Sequence, residues 1–212
     1  MANRIPTFNE TTFNNICDHL GKKDADLQLI LNNYNYPPLW RRSASFETLV
    51  HIILEQQVSL ASALAALNKI KEKITHITPV SLLALGDEEL KACYFSRQKI
   101  TYTKHLAQSL INNEINIGEL NKMDNDAVRS TLTKIKGIGN WTVDVYLMMV
   151  LQRPDVFPLG DIALMTSIKE IKRLSKDISK EAIAKIASGW KPYQTIAAFI
   201  LWHSYLCKRK RS

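Results

Sequence analysis

Lys136-Gly137-Ile138-Gly139-Asn140-Trp141-Thr142 is the stretch on which the reading of this chain turns. Ahead of it, Val128, Leu132 and Ile135 recur at helical spacing. After it, Val143-Asp144-Val145-Tyr146-Leu147-Met148-Met149-Val150 is apolar on nearly every side and reads as a buried helix. Few residues separate the two, with glycines at 137 and 139, so the predicted motif is a helix, a tight glycine hairpin and a second helix. Glycine permits positive φ and lets a foreign backbone approach closely. The hairpin ends at a helix N-terminus, where unpaired N–H groups and the dipole favour an anion. Gly-x-Gly by itself also suits a plain helix–helix turn, so the residues downstream carry weight. Phe157-Pro158-Leu159-Gly160-Asp161 sets a carboxylate behind a short Gly/Pro loop, ahead of Ile162, Leu164, Ile168, Ile171 and Leu174 at helical spacing.

The rest of the chain is read around this centre. Its 212 residues suffice for one domain or two small lobes with a substantial core. Hydrophobic residues make up 46% and charged residues 23%, an ordinary globular balance. A net charge of +8 and a pI near 9.4 suit a polyanion such as nucleic acid, although an incidentally basic protein has the same charge. Cys17, Cys93 and Cys207 lie far apart and offer neither a zinc pattern nor a disulfide framework, which suits a reducing compartment. The opening Met1-Ala-Asn-Arg-Ile-Pro lacks a signal-peptide core, and no run approaches the roughly 18 apolar residues of a membrane span. A soluble intracellular protein is expected.

Glycines are few, β-branched alternation is scarce, and apolar residues repeat at three and four, so an all-α fold is predicted. Thr7 to about Leu31 carries Phe13, Ile16, Leu20, Leu27 and Ile30 at helical intervals, with Gly21 marking a break. Pro37-Pro38 forbids a regular helix there and marks either a crossing between lobes or a surface loop. Phe46, Leu49, Val50, Ile53 and Leu54 share one face before Gln56-Gln57-Val58-Ser59 interrupts, and another helix starts at Ala61. Thr78-Pro79, Ser96, Asp124 or Asn125, and Ser179 read as helix starts. Pro192 opens a last helix running to about Leu206, followed by the tail Lys208-Arg209-Lys210-Arg211, expected to be disordered without a polyanion.

Lys136-Gly-Ile-Gly-Asn-Trp-Thr, followed by Phe157-Pro-Leu-Gly-Asp161, resembles the helix-hairpin-helix of DNA glycosylases, and most closely the DNA-3-methyladenine glycosylase II family, which removes alkylated bases. Leu54-Glu55-Gln56-Gln57-Val58-Ser59 is similar to that family's Leu-Gly-Gln-x-Val-Ser loop, and Ser96-Arg-Gln-Lys99 and Trp190-Lys-Pro-Tyr193 also match its segments. The resemblance spans about residues 45 to 205. It implies two helical lobes, approximately 45–153 with the hairpin and 1–44 plus 154–212, in a single domain with an active-site cleft between them. It implies Asp161 as the catalytic carboxylate and Trp141 and Tyr193 as base-pocket residues. Lys136, Gly137, Ile138, Gly139, Asn140 and Trp141 become the phosphate-binding hairpin, and Gln57 the wedge that fills the gap left by a flipped base.

The resemblance implies double-stranded DNA with damaged bases as partner, a monomer, and a cytoplasmic or, in a eukaryote, nuclear location. It implies no cofactor beyond a monovalent Na+ or K+ on hairpin carbonyls. Related enzymes with iron–sulfur clusters use four clustered cysteines near the C-terminus, and only Cys207 stands there, so no cluster is expected. Bifunctional relatives carry a lysine where Trp141 stands, so hydrolysis without strand cleavage is expected. Each residue also has a plainer reading. Asp161 is a good helix N-cap, Gln56-Gln57 suits a polar turn, and Trp141, Tyr193 and Trp202 suit a core, Trp202 above all. A non-catalytic helix-hairpin-helix module, or a glycosylase for oxidised or mismatched bases, is the alternative.

Overall fold

The computed structural model describes residues 5–210, and all regular structure among them is helical, as the repeat of apolar positions predicts. Met1–Arg4 of the opening segment and Arg211 of the basic tail lie outside the described residues. By internal contacts the chain divides into two units, residues 42–146 and residues 1–41 with 147–212.

The continuous unit holds α3 (Phe46–Glu55), α4 (Leu60–Lys73), α5 (Pro79–Leu83), α6 (Asp87–Ala92), α7 (Arg97–Ile111), a 3-10 turn (Ile117–Lys122), α8 (Asn125–Leu132) and the start of α9 (Asn140–Met149). Here α7 is the pillar, packed by α3, α5 and α6. Leu49, Ile52, Ile53 and Leu54 of α3 and Leu106 of α7 are wholly buried. Starts follow local chemistry. Ser45, Ser59, Thr78, Ser96 and Asp124 each accept a backbone N–H of the first turn, satisfying donors that a helix otherwise leaves unpaired.

The other unit holds α1 (Glu10–Lys23), α2 (Ala25–Tyr34), the end of α9, α10 (Ile162–Ile171), α11 (Lys180–Ser188) and α12 (Gln194–Lys210). In α12 every residue from Ile196 to Leu201 is fully buried, which makes it the axis against which α1, α2 and α10 pack. Phe8, Phe13, Trp40, Phe199 and Trp202 form an aromatic cluster around it.

Three expectations change. The break in the first helical stretch falls at Asp24 rather than Gly21. Asp24 closes α1 with its backbone N–H on Leu20 O and opens α2 with its carboxylate on Asp26 N–H. Gly21 stays inside α1 because α2 crosses there: a Cβ would meet the Gln28 side chain. The last helix starts at Gln194, and it runs past Leu206 through Lys210. Lys208 pairs with Glu170 of α10 at 2.9 Å and the Arg209 guanidinium lies 3.5 Å from the Tyr205 ring centre, so this part of the basic tail continues α12 and is held by partners in α10 and α12.

Candidate active site

The hairpin is held by buried residues beneath it and by one glycine that the backbone requires. After α8 ends at Leu132, Ile135 and Ile138 turn inward and are buried, pinning the loop from beneath. Between them Gly137 adopts φ +92°, and the Tyr102 ring occupies the space that a Cβ would need. Gly139 has open space around it and no left-handed backbone. The loop is closed by Ile138 N–H on Ile135 O at 3.0 Å and handed to α9 by Val143 N–H on Gly139 O at 3.1 Å. Lys134, Lys136, Gly139 and Asn140 are exposed, so cations and a helix N-terminus face solvent together.

Two side chains brace this loop. Arg129 in α8 donates to Asn140 Oδ1 at 3.1 Å and to Asp144 Oδ1 at 2.5 Å, tying α8 to α9 across the turn. Burial pushes the Asp144 carboxyl above its ordinary range, and Arg129 opposes that without cancelling it. Gln56, just after α3, donates from Nε2 to Gly137 O and to Thr142 Oγ1, both at 2.9 Å. Its neighbour Gln57 takes φ +58° and is exposed, followed by exposed Val58 and Leu60. The Lys99 ammonium donates to Leu54 O at 2.5 Å, capping the C-terminal end of α3. Lys104 pairs with Asp87.

In the other unit, Arg153 to Asp161 forms the loop ahead of α10. Buried Thr195 stitches it to α12, donating its hydroxyl to Arg153 O at 2.6 Å and accepting from Val156 N–H at 3.1 Å. A turn with Asp161 N–H on Pro158 O at 2.9 Å then delivers Asp161 to the N-terminus of α10. There Asp161 Oδ1 accepts from Leu164 N–H at 2.8 Å and from the Trp202 indole N–H at 2.9 Å. Trp202 is buried against Trp40 and Phe199, so its ring cannot turn away. A carboxylate held by two donors at a helix N-terminus is fixed in place. It suits stabilisation of a nearby developing cation. Ile162, next to it, is 77% exposed.

The predicted residues therefore fall into two groups. Residues 136 to 141 and Gln57 belong to the continuous unit, with Gln56 joining their loops. Asp161 and Tyr193 belong to the other. Tyr193 is half-buried, its ring edge-on to His19 at 5.8 Å. Trp141 is half-buried in the first turn of α9. Trp190, of the same segment as Tyr193, is structural: its indole donates to Asp24 Oδ2 at 2.8 Å, beside Lys172. Sequence reasoning missed Gln56, whose partners lie 81 and 86 residues away, and the hold of Trp202 on Asp161 across 41 residues. A buried tryptophan needs an acceptor for its N–H, and that is the signal that could have found the second.

The model of the HhH-GPD superfamily of base excision DNA repair proteins matches residues 50–192. DNA-3-methyladenine glycosylase 1 of Schizosaccharomyces pombe is 30% identical over 191 residues, 87% of this chain and 84% of that protein. The alkylbase DNA glycosidase-like protein mag2 of the same organism is 31% identical over 172 residues, covering 79% and 81% of the two chains. The solved structure of the S. pombe 3-methyladenine DNA glycosylase Mag1 in complex with abasic DNA superimposes with a TM-score of 0.82 at 30% identity, over 89% of this chain and 95% of that one. The chain therefore belongs to the HhH-GPD superfamily of base excision DNA repair proteins.

Proposed function

We propose that this protein is a monofunctional DNA glycosylase of the 3-methyladenine II type, acting as a monomer on duplex DNA and hydrolysing the bond between deoxyribose and an alkylated purine. The observation that carries the reading is the Asp161 carboxylate, held on one oxygen by Leu164 N–H and the Trp202 indole. Its S. pombe relatives named for alkylated bases support the substrate class.

A duplex hides the bond to be broken, so the nucleotide must be extruded. The α9 N-terminus and the exposed lysines of the hairpin suit the phosphate backbone, which they grip without reading sequence. Gln57, exposed on its left-handed turn, suits the space vacated by the flipped base. The C1′–N bond then breaks with its electron pair going to the base, and positive charge builds on the sugar. Asp161 stabilises that charge electrostatically. Water forms the new bond to C1′ and gives up a proton, leaving an abasic site. Alkylation at a purine ring nitrogen makes the base a cation that leaves as a neutral molecule, so little protonation of the leaving group is needed. Trp141 and Tyr193 supply π faces on which a cationic base is favoured over a neutral one. The chain offers tryptophan at 141, where a lysine would form a Schiff base, so strand cleavage is not part of the reaction.

The hairpin carbonyls fit a monovalent cation: Gly137 O accepts one hydrogen bond, from Gln56, and a carbonyl oxygen has a second lone pair. Such an ion would supply positive charge beside the phosphate.

The test is incubation with duplex DNA carrying 3-methyladenine and 7-methylguanine, with released bases identified by mass spectrometry. Free bases, strands that break only after alkali, and no adduct trapped by borohydride are expected. Tight binding without release would make this a binding module, and efficient trapping would make it a lyase.

A further inference from the structure

We infer that Gln56 is a positioning residue that couples capture of the phosphate backbone by the hairpin to insertion of its neighbour Gln57 into the duplex. The inference rests on the proposed roles of the hairpin and of Gln57. Its own ground is one amide nitrogen with two partners. Gln56 Nε2 donates to Gly137 O and to Thr142 Oγ1, each at 2.9 Å. The first partner is the left-handed glycine of the loop, and the second lies in the first turn of α9, on the far side of the exposed amides. Thr142 is 1% exposed, so this hydroxyl is a fixed point within the packed helix.

The other end of Gln56 is fixed as well. Its backbone N–H closes α3 on Ile53 O at 3.3 Å, and its φ of −60° is followed at Gln57 by +58°. A non-glycine residue holds a left-handed conformation only where its surroundings impose it. Here the preceding side chain is anchored to the hairpin, one peptide bond away. A shift of the hairpin as it closes on phosphate is thereby transmitted to the backbone that aims Gln57. By reciprocity, insertion of Gln57 favours the gripping geometry. Lys99 holds the end of α3 itself, through Leu54 O, so the movement is confined to the Gln56–Ser59 turn.

The test uses the full chain and a duplex containing a tetrahydrofuran abasic analogue beside 2-aminopurine, whose fluorescence at saturating protein reports unstacking. Gln56→Met keeps the length and removes both donors. Its unstacking signal should fall to less than about half while its melting temperature stays near that of the wild type. Affinity is then measured for Gly139→Asp, Gln57→Ala and the double variant, once with Gln56 intact and once in the Gln56→Met background. With Gln56 intact the two effects on Kd should depart from additivity by about 3- to 10-fold, and in the Gln56→Met background they should add. A folded Gln56→Met protein with a full unstacking signal, or with the same departure from additivity, overturns the coupling. If Gln57→Ala itself leaves unstacking unchanged, the wedge reading fails and the coupling with it. If Gln57→Ala lowers the signal and Gln56→Met does not, only the coupling fails. Should the methionine variant unfold, Gln56→Glu, whose ionised carboxylate cannot donate, is read in the same way.

Discussion

Replacing Gly137 by alanine should damage both the fold and the interface, whereas the same change at Gly139 should damage neither. At Gly137 the backbone has φ +92°, a region that costs a residue with a Cβ about 1–2 kcal/mol. The added carbon would also enter the Tyr102 ring, and forcing an extra methyl into a packed site costs roughly 1–3 kcal/mol. The total is about 2–5 kcal/mol. For a chain of this size each kcal/mol moves Tm by roughly 2–4 °C, so a fall of roughly 4–20 °C is expected. The strain also falls on the carbonyl that Gln56 holds, so the loop that survives is displaced. At Gly139 nothing lies within 4 Å of an added Cβ, and the change should leave Tm unchanged or raise it by at most about 4 °C. Thermal unfolding followed by circular dichroism measures the first effect. Affinity for undamaged duplex across a salt series measures the second, because lost phosphate contacts flatten the slope. Equal Tm values for Gly137→Ala and the wild type would refute the reasoning.

Trp202→Phe removes the indole donor from Asp161 Oδ1, a hydrogen bond to a charged group worth about 1.5–3 kcal/mol, so single-turnover base release should slow by roughly 10- to 100-fold with little change in DNA affinity. Trp141→Ala should lose about 2- to 30-fold more activity on cationic 7-methylguanine than on neutral hypoxanthine, measured as release from matched duplexes. The Asp24 carboxyl feels burial that raises its pKa, but hydrogen bonds from Lys172 and Trp190 outweigh this and hold it below the ordinary value of 3.8. Its contribution to stability is therefore complete above that value and lost as pH falls below it. In Asp24→Asn the acid-side decline of Tm should be shallower than in the wild type, and an unchanged decline would show that protonation of this group does not destabilise the fold.

What could be read from the chain, and what could not, depends on the range of each interaction. Caps are local, so Thr78, Ser96, Asp124 and Ser179 are visible as helix starts, and the structure uses each of them. The hairpin is visible because Gly137 and Gly139 stand between two periodic stretches. Gly21 misleads because glycine serves close packing as well as turns, and the α2 side chain that needs the space is known only once the chain has folded. The order of the basic tail rests on Glu170, 38 residues before Lys208. Gln56 and Trp202 carry amide and indole donors without a local partner in sequence, so nothing near them announces Gly137 or Asp161. Residues proposed for the chemistry can be picked out by type, and the residues that hold them cannot.

Asp161 offers the most direct test of catalysis. In Asp161→Asn the amide oxygen can still accept from Leu164 N–H and the Trp202 indole, and asparagine caps a helix as well as aspartate does, so fold and DNA affinity should persist. What disappears is the negative charge that the proposed reaction uses. Single-turnover release of 7-methylguanine by saturating enzyme should fall by about 10²–10³-fold. Release at the wild-type rate by that folded, DNA-bound variant would contradict the assignment of Asp161 as the catalytic group.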